Sequence, residues 1–465
     1  MPKRPTKFIP SVKIDSIASN GSGIGKVEGK VIFVARSIPG DVVDVRVTKE
    51  RTSFDEGKVA KRIVSSPLRS EAFCEHFGTC GGCKWQDIQY EDQLKFKRQI
   101  VKDAFRHIAM VEIPEIGNVL PAPAIKRYRN KLEYTFSNKR FLPIEEIKTG
   151  KEIENFDGLG FHIPGRYDKI LHLKECHLQE EPSNAIRNFV YDYARSNHLI
   201  FFDLKKKTGF LRNLIIRNST SGEVLVLFSF STNDQQVIIP MLEAVRKKFP
   251  QITCMQYVIN SKRNDTIFDL EIKHFSGREY INELIGGYKF RIGAKSFFQT
   301  NTVQAEKLYE LALEYAAPKQ DDTLWDLYCG VGSISIFMAK YCKEVIGIEQ
   351  IEEAVKDASV NAADNNIKNT TFITGDVRKK LLEPGEIANP DIIITDPPRA
   401  GMHPDVVRAL MDSNAGKIVY ISCNPSTQAR DMKELSKKYK IEKMQAIDMF
   451  PHTTHIENVV LLVKI

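Results

Sequence analysis

The sequence predicts a multidomain protein with a small β-barrel, a mixed α+β middle domain that holds a metal cluster, and an α/β doubly wound domain. The chain has 465 residues, which is too many for one ordinary hydrophobic core. It opens with short β-rich runs separated by glycines, the pattern of a small barrel. From about residue 300, strand and helix patterns alternate, which is typical of a parallel sheet covered by helices.

Composition and charge limit the functional class. Hydrophobic residues make up 42% of the chain and charged residues 27%, as in soluble globular proteins. No apolar run approaches the roughly 20 residues of a membrane helix, and no apolar core follows the first charges as in a secretory signal. We therefore expect a cytoplasmic protein without a membrane partner. Its 8 cysteines should be reduced, so a group of them indicates metal binding or catalysis.

Residues 1–66 are predicted to form the barrel. Its clearest strands are residues 31–34 and 42–47, with a turn signal at Pro39-Gly40-Asp41 between them. Residues 1–67 carry 13 Lys and Arg against 7 Asp and Glu, so most of the net charge of +8 lies here. A basic barrel suits a polyanion, most simply nucleic acid, although a solvated basic face has the same composition.

Residues 67–290 are predicted to form the mixed α+β middle domain. Apolar spacing predicts a helix over about 90–108, with Ile108 on its buried side, and β runs occupy residues 214–217 and 224–228. Four thiols are the chemical feature of the domain: Cys74, Cys80, Cys83 and Cys176. Four thiolates satisfy either zinc or an iron–sulfur cluster, and their spacing does not choose between the two.

A basic run lies between these cysteines. Lys126, Arg127, Arg129 and Lys131 are interleaved with Tyr128 and followed by Tyr134. Cations mixed with aromatic side chains are typical of a surface that binds RNA, and they are equally typical of a solvated strand face.

Residues 291–465 are predicted to form the doubly wound domain. Its predicted strands are residues 323–328, 344–348, 371–374, 391–395 and 417–422. Two further apolar segments, near 441–448 and 457–464, are expected to close the sheet as a hairpin. Their connection carries His452 and His455, which we expect to be solvated.

A nucleoside pocket is predicted at the carboxyl ends of the first three strands. Gly330 and Gly332 follow the first strand in a strand-to-helix turn, where the backbone can approach a ligand closely. Glu349 ends the second strand and can accept both hydroxyls of a ribose, and Asp376 follows the third and can accept from an adenine amino group. The dinucleotide fingerprint is incomplete, which favours S-adenosylmethionine.

Polar strings end the next two strands. Asp396-Pro397-Pro398 ends the fourth, but Arg399 stands where an amino-group methyltransferase has an aromatic residue. Cys423 ends the fifth strand, where the plain alternative is a buried core cysteine, and Glu457 opens the last apolar segment. Carbon 5 of uracil attacks a sulfonium only after a thiolate adds to carbon 6, and a base must then remove the carbon-5 proton. A cysteine and an acid near one cofactor pocket therefore predict uracil methylation.

With these motifs the sequence resembles the RNA uracil-5-methyltransferase family. The resemblance covers residues 297–458 and rests on Ser422-Cys423-Asn424-Pro425, Asp396-Pro397-Pro398-Arg399, His455-Ile456-Glu457-Asn458 and Phe297-Phe298-Gln299-Thr300-Asn301. It implies that Cys423 is the nucleophile and Glu457 the base. It also implies that the S-adenosylmethionine and uracil sites are lined by Gln299, Tyr328, Ser333, Glu349, Asp376 and Asp396. Ser333 and Asp376 stand where asparagine is familiar in the family, and both can still form hydrogen bonds.

The resemblance extends to the other domains. The barrel resembles the TRAM domain, an RNA-binding module. Family members that act on ribosomal RNA hold a 4Fe–4S cluster on four cysteines arranged like Cys74, Cys80, Cys83 and Cys176, whereas relatives that act on transfer RNA lack both the cysteines and the barrel. The resemblance therefore implies a 23S ribosomal RNA methyltransferase, expected to be a monomer, with a 4Fe–4S cluster rather than zinc.

Three other functions fit the residues. A transfer RNA uracil-5-methyltransferase would use the same reaction centre. An amino-group methyltransferase of guanine or adenine would react at Asp396-Pro397-Pro398 and leave Cys423 without a role. A non-catalytic RNA-binding iron–sulfur protein would use the sheet domain as a scaffold. The position of the methyl group on the product base, and turnover of S-adenosylmethionine, distinguish these functions.

Overall fold

A computed structural model describes residues 7–150, 152–153, 155–382 and 387–465. Along the chain it contains a closed barrel, a seven-stranded middle sheet, a two-stranded hairpin and a seven-stranded C-terminal sheet. The predicted combination of a small barrel, a mixed middle domain and a doubly wound domain is confirmed. None of the helices in the described ranges has the length and apolar character needed to cross a bilayer.

The barrel closes through five strands in the order β1-β2-β3-β5-β4. They are β1 Phe8–Ile17, β2 Gly23–Val27, β3 Lys30–Ala35, β4 Val42–Glu50 and β5 Phe54–Val64. Successive side chains of a strand face opposite sides, so alternate apolar residues point inward. The resulting core consists of Val12, Ile14, Ile32, Val34, Val43 and Val45. The two strands predicted for the barrel are confirmed.

Helix α1, Tyr90–Ala104, continues into a π-helical turn, Phe105–Ala109. Its apolar stripe, which includes Val101 and Phe105, shares one hydrophobic core with Trp325 and Tyr420, so α1 packs on the C-terminal domain. The sequence predicted that the helix would bury Ile108, which is wrong because this residue is 37% exposed. A π turn contains more residues per turn than an α-helix, and this rotates Ile108 off the stripe.

The middle sheet has the strand order β12-β11-β10-β9-β6-β7-β8. Its elements are β6 Lys131–Ser137, α2 Ile144–Lys148, β7 Gly158–Ile163, β8 Arg166–His172, α3 Ser183–Ser196, β9 Leu211–Asn218, β10 Val224–Phe230, α4 Gln235–Lys248, β11 Ile252–Ile259 and β12 Ile272–Gly277. One face, with Leu214 and Phe228, packs with the buried side chains of α3 and α4. The other face, with Ile215 and Leu225, shares a core with the C-terminal domain.

The C-terminal sheet has the strand order β17-β16-β15-β18-β19-β21-β20. The elements from the hairpin onward are β13 Ile281–Ile285, β14 Tyr288–Ile292, α5 Thr302–Ala316, β15 Thr323–Leu327, α6 Ser333–Ala339, β16 Glu344–Glu349, α7 Glu352–Asp364, β17 Thr370–Thr374, α8 Val377–Leu382, β18 Ile392–Thr395, α9 Pro404–Asp412, β19 Lys417–Ser422, α10 Pro425–Leu435, β20 Tyr439–Ile447 and β21 Glu457–Lys464. Strands β15 to β19 are parallel, and β21 runs antiparallel to β19 and β20. The predicted strands and the closing hairpin are confirmed.

Polar side chains on one side of α1 hold the connection between β20 and β21. Lys97 Nζ donates to Asp448 Oδ1 at 2.6 Å and to the carbonyl oxygen of Phe450 at 3.0 Å. The side chains of Lys97 and Asp448 are completely buried. Tyr90, two turns earlier on the same face of the helix, donates its hydroxyl to Asp448 Oδ2 at 3.0 Å. The helix therefore fixes the start of the connection through a buried ion pair.

We expect Asp448→Ala to destabilise the protein by about 3–5 kcal/mol, because Lys97 would remain buried without its partner. The measurement is urea denaturation followed by tryptophan fluorescence, to which Trp85 contributes, since its backbone N–H donates to the His452 carbonyl oxygen in this connection. The control is Lys95→Ala on the same helix, where the ion pair with Asp92 leaves the lysine exposed and the expected change is below about 1 kcal/mol. Equal effects of the two substitutions would contradict the assigned role of the buried pair.

Candidate active site at the carboxyl edge of the sheet

The three residues of the predicted reaction centre meet at one edge of the C-terminal sheet. Strands β18 and β19 are parallel with Thr395 opposite Tyr420, so Asp396 and Cys423 follow them on the same edge. Strand β21 is antiparallel to β19, with Asn458 opposite Ser422. One step further in this antiparallel pairing, Cys423 follows Ser422 and Glu457 precedes Asn458. Cys423 and Glu457 therefore lie across from each other.

Cys423 occupies the turn between β19 and α10. Asn424 caps the helix by accepting a hydrogen bond from the Ser426 N–H at 3.1 Å, and Pro425 begins its first turn. The Asn424 side chain also donates to the carbonyl oxygen of Arg399 at 3.0 Å. The Cys423 thiol is half-buried and lies at a helix N-terminus, which favours negative charge. The hydrogen bond from Asn424 holds the loop that carries Arg399 next to this turn.

Opposing charges act on the thiol. Burial, together with the carboxylates of Glu457 and Asp396, raises the pKa of Cys423 to about 12, and the Arg399 guanidinium acts in the opposite direction. Arg399 forms no ion pair with a carboxylate among the described residues, so its charge is available to the site. It is the cation that favours the thiolate.

Burial and neighbouring carboxylates raise the pKa values of the acids at the site. Burial raises the pKa of Glu457 well above its usual range, and Asp396 raises it further while Arg399 lowers it. The pKa of Asp396 is raised to about 7, first by burial and then by Asp326. The Glu457 carboxylate accepts no hydrogen bond from any residue that the structure describes. A carboxylate in this setting holds a proton more strongly than one in water.

The turn after β15 contains the glycines of the predicted nucleoside pocket. Tyr328, Gly330 and Gly332 all have left-handed backbone angles, with φ values of 65°, 55° and 78°. A side chain on Gly332 would meet the Phe372 ring at 2.9 Å, so glycine is required there, whereas open space surrounds Gly330. The Gly330 N–H donates to Glu349 Oε2 at 3.2 Å, which joins the turn to the end of β16.

The other predicted cofactor residues line the same edge. Glu349 Oε1 accepts from the Ile351 N–H at 2.9 Å, so the backbone orients this carboxylate. Asp376 Oδ1 accepts from the Arg378 N–H at 2.8 Å at the start of α8. The Ser333 hydroxyl pairs with the hydroxyl of Tyr309 at 2.8 Å. The structure therefore brings Tyr328, Ser333, Glu349 and Asp376 together along three neighbouring strand ends.

Gln299 approaches the edge from a separate segment. Asn130 Nδ2 donates to its carbonyl oxygen at 2.9 Å, and Asn301 Nδ2 donates to the carbonyl oxygen of Met449 at 2.9 Å. The Gln299 side chain makes no hydrogen bond within the described part of the chain. Phe297, two residues earlier, is 71% exposed. This segment offers an amide and an aromatic ring that are free to meet a ligand.

Sequence reasoning missed Asp326, a buried acid inside β15. Ser335 Oγ donates to its Oδ2 at 2.6 Å, and burial raises its pKa to about 7. This carboxyl contributes to the raised pKa of Asp396. An acid in the middle of an otherwise apolar strand was the available signal.

The prediction of a solvated His452 is wrong, because this residue is buried. Its N–H donates to Gln93 Oε1 at 2.9 Å, and its carbonyl oxygen accepts from the N–H groups of Lys84 and Trp85 at 2.9 and 3.1 Å. Lys84 directly follows Cys83. The end of the cysteine loop is therefore bonded to the connection that leads into Glu457. His455 is half-buried, and burial lowers its pKa to about 4.

The four predicted metal ligands are neighbours in the middle domain. Cys80, Cys83 and Cys176 contact its core, and burial raises the pKa values of Cys80 and Cys83 to about 11 and about 12. The negative charges of Cys74 and Cys176 contribute to both raised pKa values. Across the described ranges, no three His, Cys, Asp or Glu side chains form a group able to hold a metal ion. The cluster therefore stays a prediction.

We expect the alkylation of Cys423 by iodoacetamide to accelerate about tenfold per pH unit from pH 7 to pH 10, because only the thiolate reacts and the thiol pKa is high. Arg399→Met should slow the reaction by removing the cation that favours the thiolate. Arg408→Met, an exposed residue paired with Asp405, is the control and should have no effect. Peptide mass spectrometry gives the rates. A plateau below pH 9 would show that the thiol ionises more easily.

Comparison with known proteins identifies the family that the chain resembles over most of its length. The model of the tRNA (uracil-5-)-methyltransferase family matches residues 255–377 and 386–465, and the TRAM domain model matches residues 11–60. An uncharacterized RNA methyltransferase of Bacteroides thetaiotaomicron is 45% identical over 451 residues, which cover 96% of this chain and 99% of that protein. An uncharacterized RNA methyltransferase of Chlorobaculum tepidum is 40% identical and covers 93% of this chain and 91% of its own length.

A solved structure is similar over the same span. The tRNA (uracil-54, C5)-methyltransferase of Pyrococcus abyssi, in complex with S-adenosyl-L-homocysteine, has a TM-score of 0.76 and 29% sequence identity. The match covers 98% of this chain and 100% of that chain. With full-length RNA methyltransferase relatives and matches to both domain models, the chain belongs to the RNA uracil-5-methyltransferase family and carries a TRAM domain at its amino end.

Proposed function

We propose that the protein methylates carbon 5 of a specific uridine in 23S ribosomal RNA. The observation that carries the proposal is the pairing of β19 with β21, which sets Cys423 across from Glu457 and beside Asp396. An amino-group methyltransferase does not need a thiol opposite a buried acid, and a binding scaffold needs neither. The methyl group for this reaction is supplied by S-adenosylmethionine.

Cys423 is the proposed nucleophile. Its thiolate forms a bond between Sγ and carbon 6 of the uracil, which places an electron pair on carbon 5. Carbon 5 can then accept the methyl group. Arg399 supports this step, since its guanidinium lowers the high pKa of the thiol.

Glu457 is the proposed base. After methyl transfer it takes the proton from carbon 5, the carbon 5–carbon 6 double bond forms again, and the bond to Sγ breaks to release the thiolate. Burial and Asp396 raise the pKa of Glu457, which makes its ionised form a stronger base than a surface carboxylate. The proposed role of Asp396 is to keep the pKa of Glu457 high through its neighbouring negative charge.

The remaining predicted residues are proposed to bind the methyl donor. Glu349, oriented by two backbone N–H groups, would accept the ribose hydroxyls. Asp376 uses Oδ1 to cap α8, which leaves Oδ2 for the adenine amino group. Gln299, Tyr328 and Ser333 would complete the pocket around the reacting end.

We propose a 4Fe–4S cluster, rather than zinc, at Cys74, Cys80, Cys83 and Cys176. The proposal is supported by the charges of Cys74 and Cys176, which raise the pKa values of Cys80 and Cys83, because thiols that oppose each other's ionisation need a cation to ionise together. Four thiolates are the ligands of such a cluster. Anaerobically purified protein should be brown and release iron and sulfide on acid treatment, and Cys176→Ser should lose both. Stoichiometric zinc without iron would contradict the cluster.

The choice of ribosomal RNA rests on the cysteines. The expectation that transfer RNA enzymes lack the barrel is wrong for the Pyrococcus abyssi enzyme, which matches 98% of this chain, so the barrel does not distinguish the two substrates. That match favours transfer RNA as the second candidate. Mapping 5-methyluridine in 23S ribosomal RNA and transfer RNA from a strain without the protein decides between them, because the methyl group disappears only from the true substrate.

We expect Cys423→Ala to block the first step of the reaction, addition to the base, and Glu457→Gln to block the last step, release of the methylated base. Cys423→Ala should abolish methylation and form no covalent adduct with RNA. Glu457→Gln should still add to the base and methylate it but release it about 10²- to 10⁴-fold more slowly, because proton removal is blocked. An adduct that survives denaturing electrophoresis with ordinary uridine RNA is the readout.

Two controls accompany this comparison. Parent protein with RNA that contains 5-fluorouridine should form the same stable adduct, because no carbon-5 proton is present for Glu457 to remove. Cys342→Ala removes a buried thiol elsewhere in the domain and should leave the adduct unchanged. Methylation by Cys423→Ala at the parent rate would refute the proposed nucleophile.

A further inference from the structure

Three cations lie together on the face of the middle sheet that meets the C-terminal domain. Lys131 on β6 is directly opposite Arg217 on β9. Arg129, two residues before Lys131, donates from Nε to the Lys131 carbonyl oxygen at 3.1 Å. Like charges directly opposite each other in a sheet are destabilising, so this arrangement needs a compensating group.

The structure does not supply that group from a carboxylate. Arg127 nearby pairs with Glu180 at 3.3 Å, but none of Arg129, Lys131 and Arg217 forms an ion pair within the described ranges. The acid that faces them, Glu133, raises the pKa of Lys131 but forms no ion pair with it in the described structure. Burial, followed by the charges of Arg217 and Arg129, lowers the pKa of Lys131 to about 8.

Arg217 is built into the site rather than extended into solvent. It is 4% exposed, and Nη2 donates to the carbonyl oxygen of Ser296 at 2.5 Å. Its Nε is buried and has no hydrogen-bond partner in the described structure. A buried guanidinium with one neutral acceptor and no anion is costly unless a ligand completes it.

The position of the three cations relates them to the active site. Ser296, whose carbonyl oxygen accepts the hydrogen bond from Arg217, directly precedes the segment that contains Phe297 and Gln299. Asn130, between Arg129 and Lys131, binds that segment through its N–H to the Thr300 carbonyl oxygen at 2.8 Å and its Nδ2 to the Gln299 carbonyl oxygen. The Arg129 guanidinium lies 5.7 Å from the centre of the Phe450 ring, on the connection that leads into Glu457.

We propose that Arg129, Lys131 and Arg217 form a phosphate subsite, which binds the RNA backbone next to the uridine that enters the active site. This inference rests on the proposed function. A phosphodiester suits the three donors because it presents anionic oxygens to several N–H groups at once. Binding there would offset part of the few kcal/mol needed to take a base out of its stack.

The test compares Lys131→Met with Lys273→Met in the full-length protein. Lys273 lies on β12 of the same sheet, opposite Tyr257, and its substitution removes the same charge. The probe is 23S ribosomal RNA transcribed in vitro, with transfer RNA transcripts as a second probe, bound at several KCl concentrations. Lys131→Met should weaken binding about tenfold and reduce the slope of log affinity against log salt by about 0.7–0.9. Lys273→Met should change neither.

S-adenosylmethionine affinity, measured by calorimetry, provides the second arm. It should be unchanged in Lys131→Met. A loss of cofactor affinity with normal RNA affinity would overturn the proposal and assign the cations to the carboxylate of the methyl donor. Unchanged RNA affinity and salt slope would also overturn it. Arg217→Lys keeps the charge, so it should retain most of the salt slope even if the Ser296 contact is disturbed.

The 5-fluorouridine adduct separates this inference from the proposed function. If parent protein forms the adduct and Lys131→Met binds RNA normally, only the phosphate subsite is refuted. If parent protein forms no adduct with either RNA, the proposed function fails and takes the assignment of the cations with it.

Discussion

The ion pair between Lys97 and Asp448 joins the first helix to the connection on which the active site depends. It is completely buried, so each charge is stabilised only while the other stays in place. The same connection is held by Gln93, by the backbone after Cys83 and by Asn301, which come from three different parts of the chain. Glu457 follows directly, so the placement of the proposed base is a property of the whole assembly.

The edge of the sheet concentrates negative charge near one cation. Asp326, Asp396 and Glu457 have raised pKa values, first because burial disfavours their ionised forms. A neighbouring carboxylate adds to each shift: Glu349 at Asp326, Asp326 at Asp396, and Asp396 at Glu457. In the proposed reaction, Cys423 is a fourth group that becomes negative. Arg399 is bonded through its backbone to Asn424, which places its charge beside the thiol without consuming it in an ion pair. Such a site suits a reaction in which only one of these acidic groups is ionised at a time.

Much of the C-terminal domain was predictable because its signals are local. Apolar runs gave the strands, and polar residues at their ends gave Glu349, Asp376, Asp396 and Cys423 as neighbours, since parallel strands end at a common edge. The burial of His452 and the pairing of Lys131 with Arg217 depend on residues far apart in the chain, which no local pattern reveals. Ile108 was misplaced because a π turn interrupts the helical period. The assigned roles of the site residues, the domain limits and the metal cluster remain predictions.

The hydrogen-bonded pairing of β19 with β21 also determines whether insertions or deletions in the chain change the distance between Cys423 and Glu457. Cys423 and Glu457 are separated in sequence by α10, β20 and two connections, yet their separation in space follows from Ser422 lying opposite Asn458. Residues inserted after α10 would bulge into solvent and leave the thiol and the acid where they are. A slip of one residue in the ladder would instead present Ile456 or Asn458 to the thiol and turn every side chain of β21 to the other face. The distance between Cys423 and Glu457 therefore depends on the register of β19 and β21 and not on the length of the chain between them.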